Sequence, residues 1–341
     1  MEIQKTTNEN KYLSEYQTLV AKYNFEQFTN LRIDLSLFIE NSYRISSGSF
    51  SYTNKGILRS DGDRPAKEVA IRYIYDADKD EDLEFDRYFF DEIRCHSSLK
   101  HSAILPLIGF SFPLKENDSY AIVQEFMPNG SLESLIEKVG EEKIFPENWE
   151  TIKAINIFGI AAGMAFIHQN DIIHRDLKPK TVLLDKNFHP KIGGFNFSKK
   201  FKQGTEDLIE QTTNIGTLDF MAPEIFDDEH YSSKVDVYSY SILLHQLLTL
   251  RKTIHFVGTL AVEDGVRPVF KENEVSHAFV TLIEKCWSSD PDNRLPFISI
   301  VKEFIDNKNQ YFDSPSINQE EFNDYIQLVT KDLDFSRVSD E

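Results

Sequence analysis

The most informative part of this sequence reads HRDLKP, His174–Pro179. It follows a long apolar segment, Trp149–Gln169, whose apolar residues recur at three- and four-residue steps and therefore predict a helix. It precedes a short apolar run, Val182–Leu184, that predicts a strand. A charged loop in this position is compatible with a solvated turn, so its meaning depends on the motifs around it.

The surrounding motifs occur in a fixed order along the chain. The upstream ones are ISSGSFSYT (Ile45–Thr53), VAIR (Val69–Arg72), an acidic helix-compatible stretch containing Glu92, and QEFMPNGSL (Gln124–Leu132). The downstream ones are GTLDFMAPE (Gly216–Glu224), Asp236 in DVYS, and the series Trp287, Pro291 and Arg294. This ordered series resembles the motifs of the protein kinase family. Two of its segments, MPNGSL (Met127–Leu132) and CWSSDP (Cys286–Pro291), most resemble those of tyrosine-kinase-like Ser/Thr kinases.

The resemblance implies roles for the catalytic loop. In a kinase the loop aspartate orients the substrate hydroxyl and accepts its proton, and a lysine two residues later steadies the transferred phosphoryl group. Asp176 and Lys178 match these catalytic roles. Arg175 matches the arginine that meets a phosphorylated activation loop, where Thr205, Thr212 and Thr213 are available.

The resemblance also implies structural and nucleotide-binding residues. Glu224 and Arg294 are expected to form an ion pair, and Asp236 to hold the backbone of the catalytic loop. Gln124 takes the gatekeeper position before the hinge. The full set of expected nucleotide-binding residues is Ile45, Gly48, Thr53, Ala70, Arg72, Glu92, Gln124, Glu125, Met127 and Leu183.

Both positions that hold magnesium in a kinase lack their usual ligand. The Asp-Phe-Gly run is replaced by Gly193-Gly194-Phe195, so Gly194 offers no carboxylate. The second ligand should be an asparagine, and that position is Thr181, whose neutral hydroxyl replaces an amide carbonyl poorly. We therefore expect weak magnesium binding or none, and no other metal site; Asn196 and Asp185 are the neighbours that could recruit a metal by another route.

The phosphate-binding residues are altered as well. Arg72 replaces the lysine that links nucleotide phosphates to the helix glutamate, and we expect it to form a salt bridge with Glu92 instead. The phosphate-covering loop keeps only the middle glycine, Gly48, of the expected three. Adenine contacts use hinge backbone and apolar walls, so ATP binding without metal stays open.

The predicted fold class is α+β, a bilobal protein-kinase fold with an antiparallel-sheet N-lobe and a mainly helical C-lobe. Residues 1–38 form an N-terminal extension with a short amphipathic helix that carries Leu13, Tyr16, Val20 and Tyr23. The kinase-like domain covers residues 39–308, with the N-lobe at 39–124, the hinge at 125–130 and the C-lobe at 131–308. Residues 309–341 are acidic and predict a tail.

Composition excludes several classes of function. The formal charge of −19 disfavours nucleic acids and anionic membranes and favours basic partners. The longest apolar stretch is too short to span a bilayer. Two cysteines are too few for a disulfide framework, so we expect a reducing, cytoplasmic location.

The joint changes at Gly194, Thr181 and Arg72 favour a signalling pseudokinase that regulates or scaffolds a protein partner, such as an active kinase or a signalling substrate. Two alternatives remain. One is an atypical active Ser/Thr protein kinase that uses Asp176 and Lys178 with an improvised metal site. The other is an interaction module whose cleft is closed by Arg72 and Glu92 and which binds no nucleotide.

Overall fold

A computed structural model describes residues 13–35, 39–48, 51–60, 65–74, 83–113, 120–201, 218–227, 232–251 and 265–337. The chain forms two compact units. The small unit comprises Met1–Ser98 and Leu105–Met127, and the large unit comprises Leu99–Ile104 and Pro128–Glu341.

The small unit is built on a five-stranded antiparallel sheet with the strand order β1-β2-β3-β5-β4. Its core includes four buried residues of two neighbouring inner strands, Val69, Ile71, Ala121 and Val123. The elements are β1 (Ile39–Ser47), β2 (Ser51–Leu58), β3 (Lys67–Ile74), β4 (Leu107–Ser111), β5 (Ala121–Glu125) and a helix, α2 (Leu83–Ser97).

The N-terminal extension packs on this unit. Residues 13–22 form helix α1, and a 3-10 helix follows at Glu26–Leu31. Tyr16 and Val20 are buried in a cluster with aromatic residues of α2, whereas Leu13 is 45% exposed and Tyr23 lies in the turn after the helix. The predicted amphipathic helix is therefore present, but only Tyr16 and Val20 of the four predicted residues are buried on it.

The large unit is mainly helical. In its described residues the helices are α3 (Leu132–Glu137), α4 (Trp149–Gln169), α5 (Glu224–Asp227), α6 (Lys234–Thr249), α7 (His277–Cys286), α8 (Phe297–Asp306), α9 (Lys308–Tyr311) and α10 (Gln319–Thr330). It also contains two short antiparallel pairs, β6 (Ile172–Ile173) with β9 (Lys199–Lys200) and β7 (Val182–Leu184) with β8 (Pro190–Ile192).

Helix α4 forms the centre of the large unit. It is long and apolar enough to cross a membrane by composition, but 83% of its most apolar window is buried within the structure. Helices α8 and α10 both pack against it. Its apolar surface is therefore used as the core of a folded unit, and its C-terminal end leads directly into β6 and the HRDLKP loop.

The prediction of an acidic tail from residue 309 is corrected by the structure. Phe312, Phe322, Tyr325 and Val329 are buried, and α10 packs along α4. The backbone N–H of Asn318 donates to the Thr151 hydroxyl at 2.8 Å. Glu320, Glu321 and Asp324 are exposed on a helix whose opposite face is apolar and buried, so the net charge of the segment concealed the buried half of the pattern.

Candidate functional site

The HRDLKP loop is held by the carboxylate of Asp236, which lies fully buried in α6. This carboxylate accepts hydrogen bonds from the backbone N–H groups of His174 and Arg175, each at 2.8 Å. A third comes from Nε2 of His168, also at 2.8 Å. Arg175 has a φ of 65°, a conformation that non-glycine residues adopt only when their surroundings enforce it.

The pKa of Asp236 reflects these bonds. Burial acts to raise the pKa, but the hydrogen bond and charge of His168 and the nearby His174 outweigh it, and the pKa lies below the ordinary value. Asp236 therefore remains a carboxylate at neutral pH. His168 was not identified from the sequence; its position in the last turn of α4, just before the loop, is the signal that could have found it.

Asp176 and Lys178 lie in contact in the large unit. Nζ of Lys178 is 2.6 Å from Oδ1 of Asp176. Burial raises the pKa of Asp176, and the Lys178 ammonium opposes that rise. The carboxylate expected to act as a base is thus paired with the ammonium expected to act on a phosphoryl group.

Thr181 uses its side chain within the loop. Its hydroxyl lies 2.8 Å from the Asp176 carbonyl and 3.0 Å from the Lys178 carbonyl, and it accepts from the Lys178 backbone N–H at 3.2 Å. Its own carbonyl accepts from the Gly193 N–H at 2.9 Å. The Thr181 hydroxyl therefore stabilises the conformation of the HRDLKP loop by bonding to backbone groups of Asp176 and Lys178.

Gly194 packs directly on Thr181. Its backbone is left-handed, with a φ of 80°. A Cβ atom at this position would lie 2.6 Å from Cγ2 and 2.9 Å from Cβ of Thr181, closer than real carbon atoms approach. The space of a side chain at position 194 is therefore already filled by the threonine methyl group.

These residues do not fit a magnesium ion. Gly194 has no side-chain oxygen, and the Thr181 hydroxyl is engaged by backbone groups of the loop, whereas magnesium requires near-octahedral oxygen coordination. Asp185 is committed elsewhere, since its Oδ1 accepts from the N–H groups of Asn187 and His189. Within the described ranges, no group of three or more His, Cys, Asp or Glu side chains could hold a metal.

The small unit carries the other part of the predicted site. A guanidinium nitrogen of Arg72, on β3, pairs with the Glu92 carboxylate of α2. Glu92 is only 4% exposed. Because the charge of Arg72 is neutralised by a buried partner, its guanidinium is less available to a phosphate than a free cation would be.

Ala70, Gln124 and Met127 are buried in the small unit. The backbone N–H of Glu125 donates to the Pro106 carbonyl at 3.1 Å. Ala70 and Met127 are apolar, as the walls that contact an adenine ring are. Leu183 belongs to the large unit, where it forms a β-bridge with Ser131.

The phosphate-covering loop is described only in part. Thr53 lies opposite Arg72 in the β2–β3 register, and Ile45 is exposed at the sheet edge. The Gly48 N–H donates to the Ser51 carbonyl at 2.8 Å, which closes the turn between β1 and β2. Ser49 and Phe50 lie outside the described residues.

Lys55, on β2, was not identified from the sequence. It lies opposite Ala70 in the β2–β3 register. Its ammonium pairs with Glu68 at 2.5 Å and lies 4.1 Å from the ring centre of Phe126. The alternation of β2 was the available signal, since it places Lys55 on the same face as Thr53.

The predicted structural pair of the large unit lies together. Arg294 is 1% exposed, and its two terminal nitrogens lie 2.6 Å and 2.8 Å from the Glu224 carboxylate oxygens. This two-point geometry suits a guanidinium and a carboxylate. The threonines considered for phosphorylation, Thr205, Thr212 and Thr213, lie outside the described residues, as does Thr217.

The sequence is similar to those of known protein kinases. A family model described as the protein kinase domain matches residues 39–305. The chain is 33% identical over 264 residues to a probable serine/threonine-protein kinase of Dictyostelium discoideum, an alignment that covers 75% of this chain and 18% of that protein. It is 31% and 30% identical to the serine/threonine-protein kinases STY46 and VIK of Arabidopsis thaliana, with 76% and 78% of this chain aligned. The chain spans 43% of the first and 59% of the second.

Proposed function

Because this chain belongs to the protein kinase domain family, we propose that it is a signalling pseudokinase, which binds and switches without efficient phosphoryl transfer. Its fold is the bilobal kinase fold, with a five-stranded antiparallel N-lobe and a helical C-lobe. Kinase domains generally use ATP with magnesium. This chain departs from that pattern at Thr181 and Gly194.

One observation carries the proposal: Thr181 and Gly194 pack on each other where the family places its two protein-supplied magnesium ligands. Magnesium bridges the transferred phosphates and offsets transition-state charge, an effect worth several kcal/mol. At about 1.4 kcal/mol per tenfold in rate, losing it should slow transfer by roughly three decades or more.

Nucleotide binding without metal is part of the proposal. The buried Ala70, Gln124 and Met127 support an adenine contact, and the Arg72–Glu92 pair argues against tight phosphate binding. ATP would then favour the conformation of the domain to which it binds more tightly. A ligand can switch a protein between two conformations only if its affinities for them differ.

We propose that the output is binding to a protein, such as an active kinase or a signalling substrate. The net charge of −19 supports a partner with a basic docking surface. Release or ordering of the activation segment through Arg175 is one route by which phosphorylation would change that binding.

An atypical active Ser/Thr kinase is the second candidate. The retained Asp176 and Lys178 favour it, and so do the relatives named as serine/threonine-protein kinases. It requires a metal site made from residues other than Thr181 and Gly194.

Radiolabelled phosphoryl transfer distinguishes the two candidates. The full chain would be incubated with labelled ATP and magnesium or manganese, with itself and a Ser/Thr peptide mixture as acceptors, beside an Asp176→Asn control. We expect wild-type incorporation equal to that of the control. Incorporation that requires metal and disappears in Asp176→Asn would establish the active kinase instead.

A further inference from the structure

The segment before the family-matched region, residues 13–33, contacts the helix that carries Glu92. The family match begins at residue 39, so nothing in the kinase pattern assigns this segment a role. It comprises α1, the 3-10 helix Glu26–Leu31 and the extended residues that follow. Below it is called the N-terminal segment.

Aromatic side chains fix the N-terminal segment to α2. Phe25 is fully buried, with its ring centre 4.5 Å from that of Phe90 on α2 and 5.6 Å from that of Phe110 on β4. The Tyr23 ring also stacks on that of Phe90, with the two ring centres 5.2 Å apart. Aromatic pairs at these separations add to the stabilisation from buried area alone.

A hydrogen bond fixes the register of the contact. Nη2 of Arg94, one turn after Phe90 on α2, donates to the Tyr23 carbonyl at 2.6 Å. Nη1 of the same guanidinium pairs with Asp91. Farther along the segment, the Ile33 N–H donates to the Phe110 carbonyl at 2.7 Å. The N-terminal segment is thereby bound to both α2 and the sheet.

Helix α2 is consequently held from two directions. Phe90 and Arg94, four residues apart, share the face that meets the N-terminal segment. Glu92 meets Arg72 on β3 and is buried there. A shift of α2 would break the Arg72–Glu92 pair and would leave a buried carboxylate without its counter-ion, which is costly.

We propose that the N-terminal segment is a built-in regulatory element that holds α2 in the position where Arg72 and Glu92 pair, and that its release frees both side chains. The switching role rests on the proposed function, in which a change in the conformation of the domain alters its binding to a partner. The holding contact itself is independent of phosphoryl transfer, so its test does not use catalysis.

The test uses amide hydrogen exchange of the full chain and three variants. Phe25→Leu keeps an apolar side chain but removes the ring contacts, and Arg94→Gln removes the bond to the Tyr23 carbonyl. Leu13→Ala is the matched control, because Leu13 belongs to the same segment and is largely exposed. Exchange in residues 86–97 is compared with exchange in α4.

We expect Phe25→Leu and Arg94→Gln to accelerate exchange in residues 86–97 by about tenfold and to leave exchange in α4 unchanged. The reason is that α2 opens locally more often while the chain does not unfold globally. Leu13→Ala should match the wild type. The unfolding equilibrium constants of Arg72→Gln, Glu92→Gln and the double variant give the coupling between the two side chains as a factor. This coupling factor should be about fivefold smaller in the Phe25→Leu background.

A merely space-filling role gives a different result. In that case Phe25→Leu lowers the stability of the chain, but exchange in residues 86–97 rises only in step with α4 and the Arg72–Glu92 coupling is unchanged. Either finding, or the absence of any coupling in the wild type, would overturn the proposal. Metal-dependent phosphoryl transfer, by contrast, would contradict the proposed function and leave these measurements as they are.

Discussion

At the level of single residues, position 194 has no room for a side chain because Thr181 fills that space. The threonine methyl lies only 2.6 Å from where a Cβ would be, and the threonine hydroxyl holds the catalytic loop. The two changes from the kinase pattern are therefore one packed arrangement. Restoring a carboxylate at position 194 requires a change at position 181 as well.

Gly194→Ala should lower the free energy of unfolding by about 1–3 kcal/mol, because the added Cβ meets Thr181 and the left-handed backbone disfavours it. The penalty should shrink by about 1 kcal/mol in a Thr181→Ser background, which removes Cγ2 but keeps the hydroxyl. Urea unfolding of the four proteins of this cycle measures both effects. Equal penalties in the two backgrounds would show that the threonine methyl does not obstruct the site.

Asp236→Asn should destabilise the large unit. The carboxylate accepts three hydrogen bonds, and an amide supplies one acceptor oxygen, so a buried donor loses its partner. We expect a loss of about 1–3 kcal/mol in urea unfolding. Asp313→Asn, at an exposed position, is the control and should change stability little. A loss no larger than that of the control would contradict the role assigned to Asp236.

The loop motif allowed the substituted metal positions to be identified from the sequence, because fixed spacing from Asp176 and from Lys191-Ile192 locates them. Their mutual contact could not be predicted. Thr181 and Gly194 are brought together by the β7–β8 hairpin, and the distance between their atoms depends on backbone angles that no motif specifies. His168 and Lys55 escaped notice because they lie outside the motif spacing.

At the level of elements, periodicity predicted α4 with its observed bounds, Trp149–Gln169, since the segment is a continuous and mostly buried apolar helix. Helix α10 was mistaken for a tail. Phe322, Tyr325 and Val329 do recur at helical spacing, but the eight acidic residues against two basic ones in residues 309–341 gave the segment the composition of a charged tail. A charged outer face says little about the inner face of an amphipathic helix.

The contact between α10 and α4 depends on Gly159. A Cβ at this position would collide with the Tyr325 hydroxyl and would lie 2.8 Å from Cγ of Pro190. Gly159→Ala should therefore cost about 1–3 kcal/mol of stability in urea unfolding. Tyr325→Phe should recover part of that cost, and an undiminished loss in the double variant would argue against this packing.

Tyr325→Phe alone should be neutral or stabilising by about 1 kcal/mol, because a buried hydroxyl without a partner is unfavourable. Among the residues that the structure describes, this hydroxyl has no hydrogen-bond partner. A loss above about 1 kcal/mol in thermal or urea unfolding would reveal a hydrogen bond and contradict the prediction.

At the level of the whole molecule, the family-matched region is flanked by two added elements, one on each unit. The N-terminal segment packs on α2, and α10 packs on α4. His101 reinforces the second contact, since its Nε2 donates to the Val329 carbonyl at 2.7 Å. Both additions bury apolar residues, so neither is a passive linker.

Buried histidines make the stability of the molecule depend on pH. Burial lowers the pKa of His101, His174, His189 and His245 below the ordinary value of 6.5. Below that value the unfolded chain binds protons that the folded chain does not, so stability falls as the pH decreases. Urea unfolding between pH 8 and about 5.5 should show this decline beginning near pH 6.5; rising stability over that range would contradict it.

The most direct test of the central claim is thermal unfolding of the full chain with ATP, alone and with magnesium or manganese. A ligand that binds the native state raises the melting temperature by mass action. We expect metal to add nothing to the rise produced by ATP alone. No rise at millimolar ATP would favour the interaction module that binds no nucleotide. A rise that requires the metal would contradict the conclusion drawn from Thr181 and Gly194.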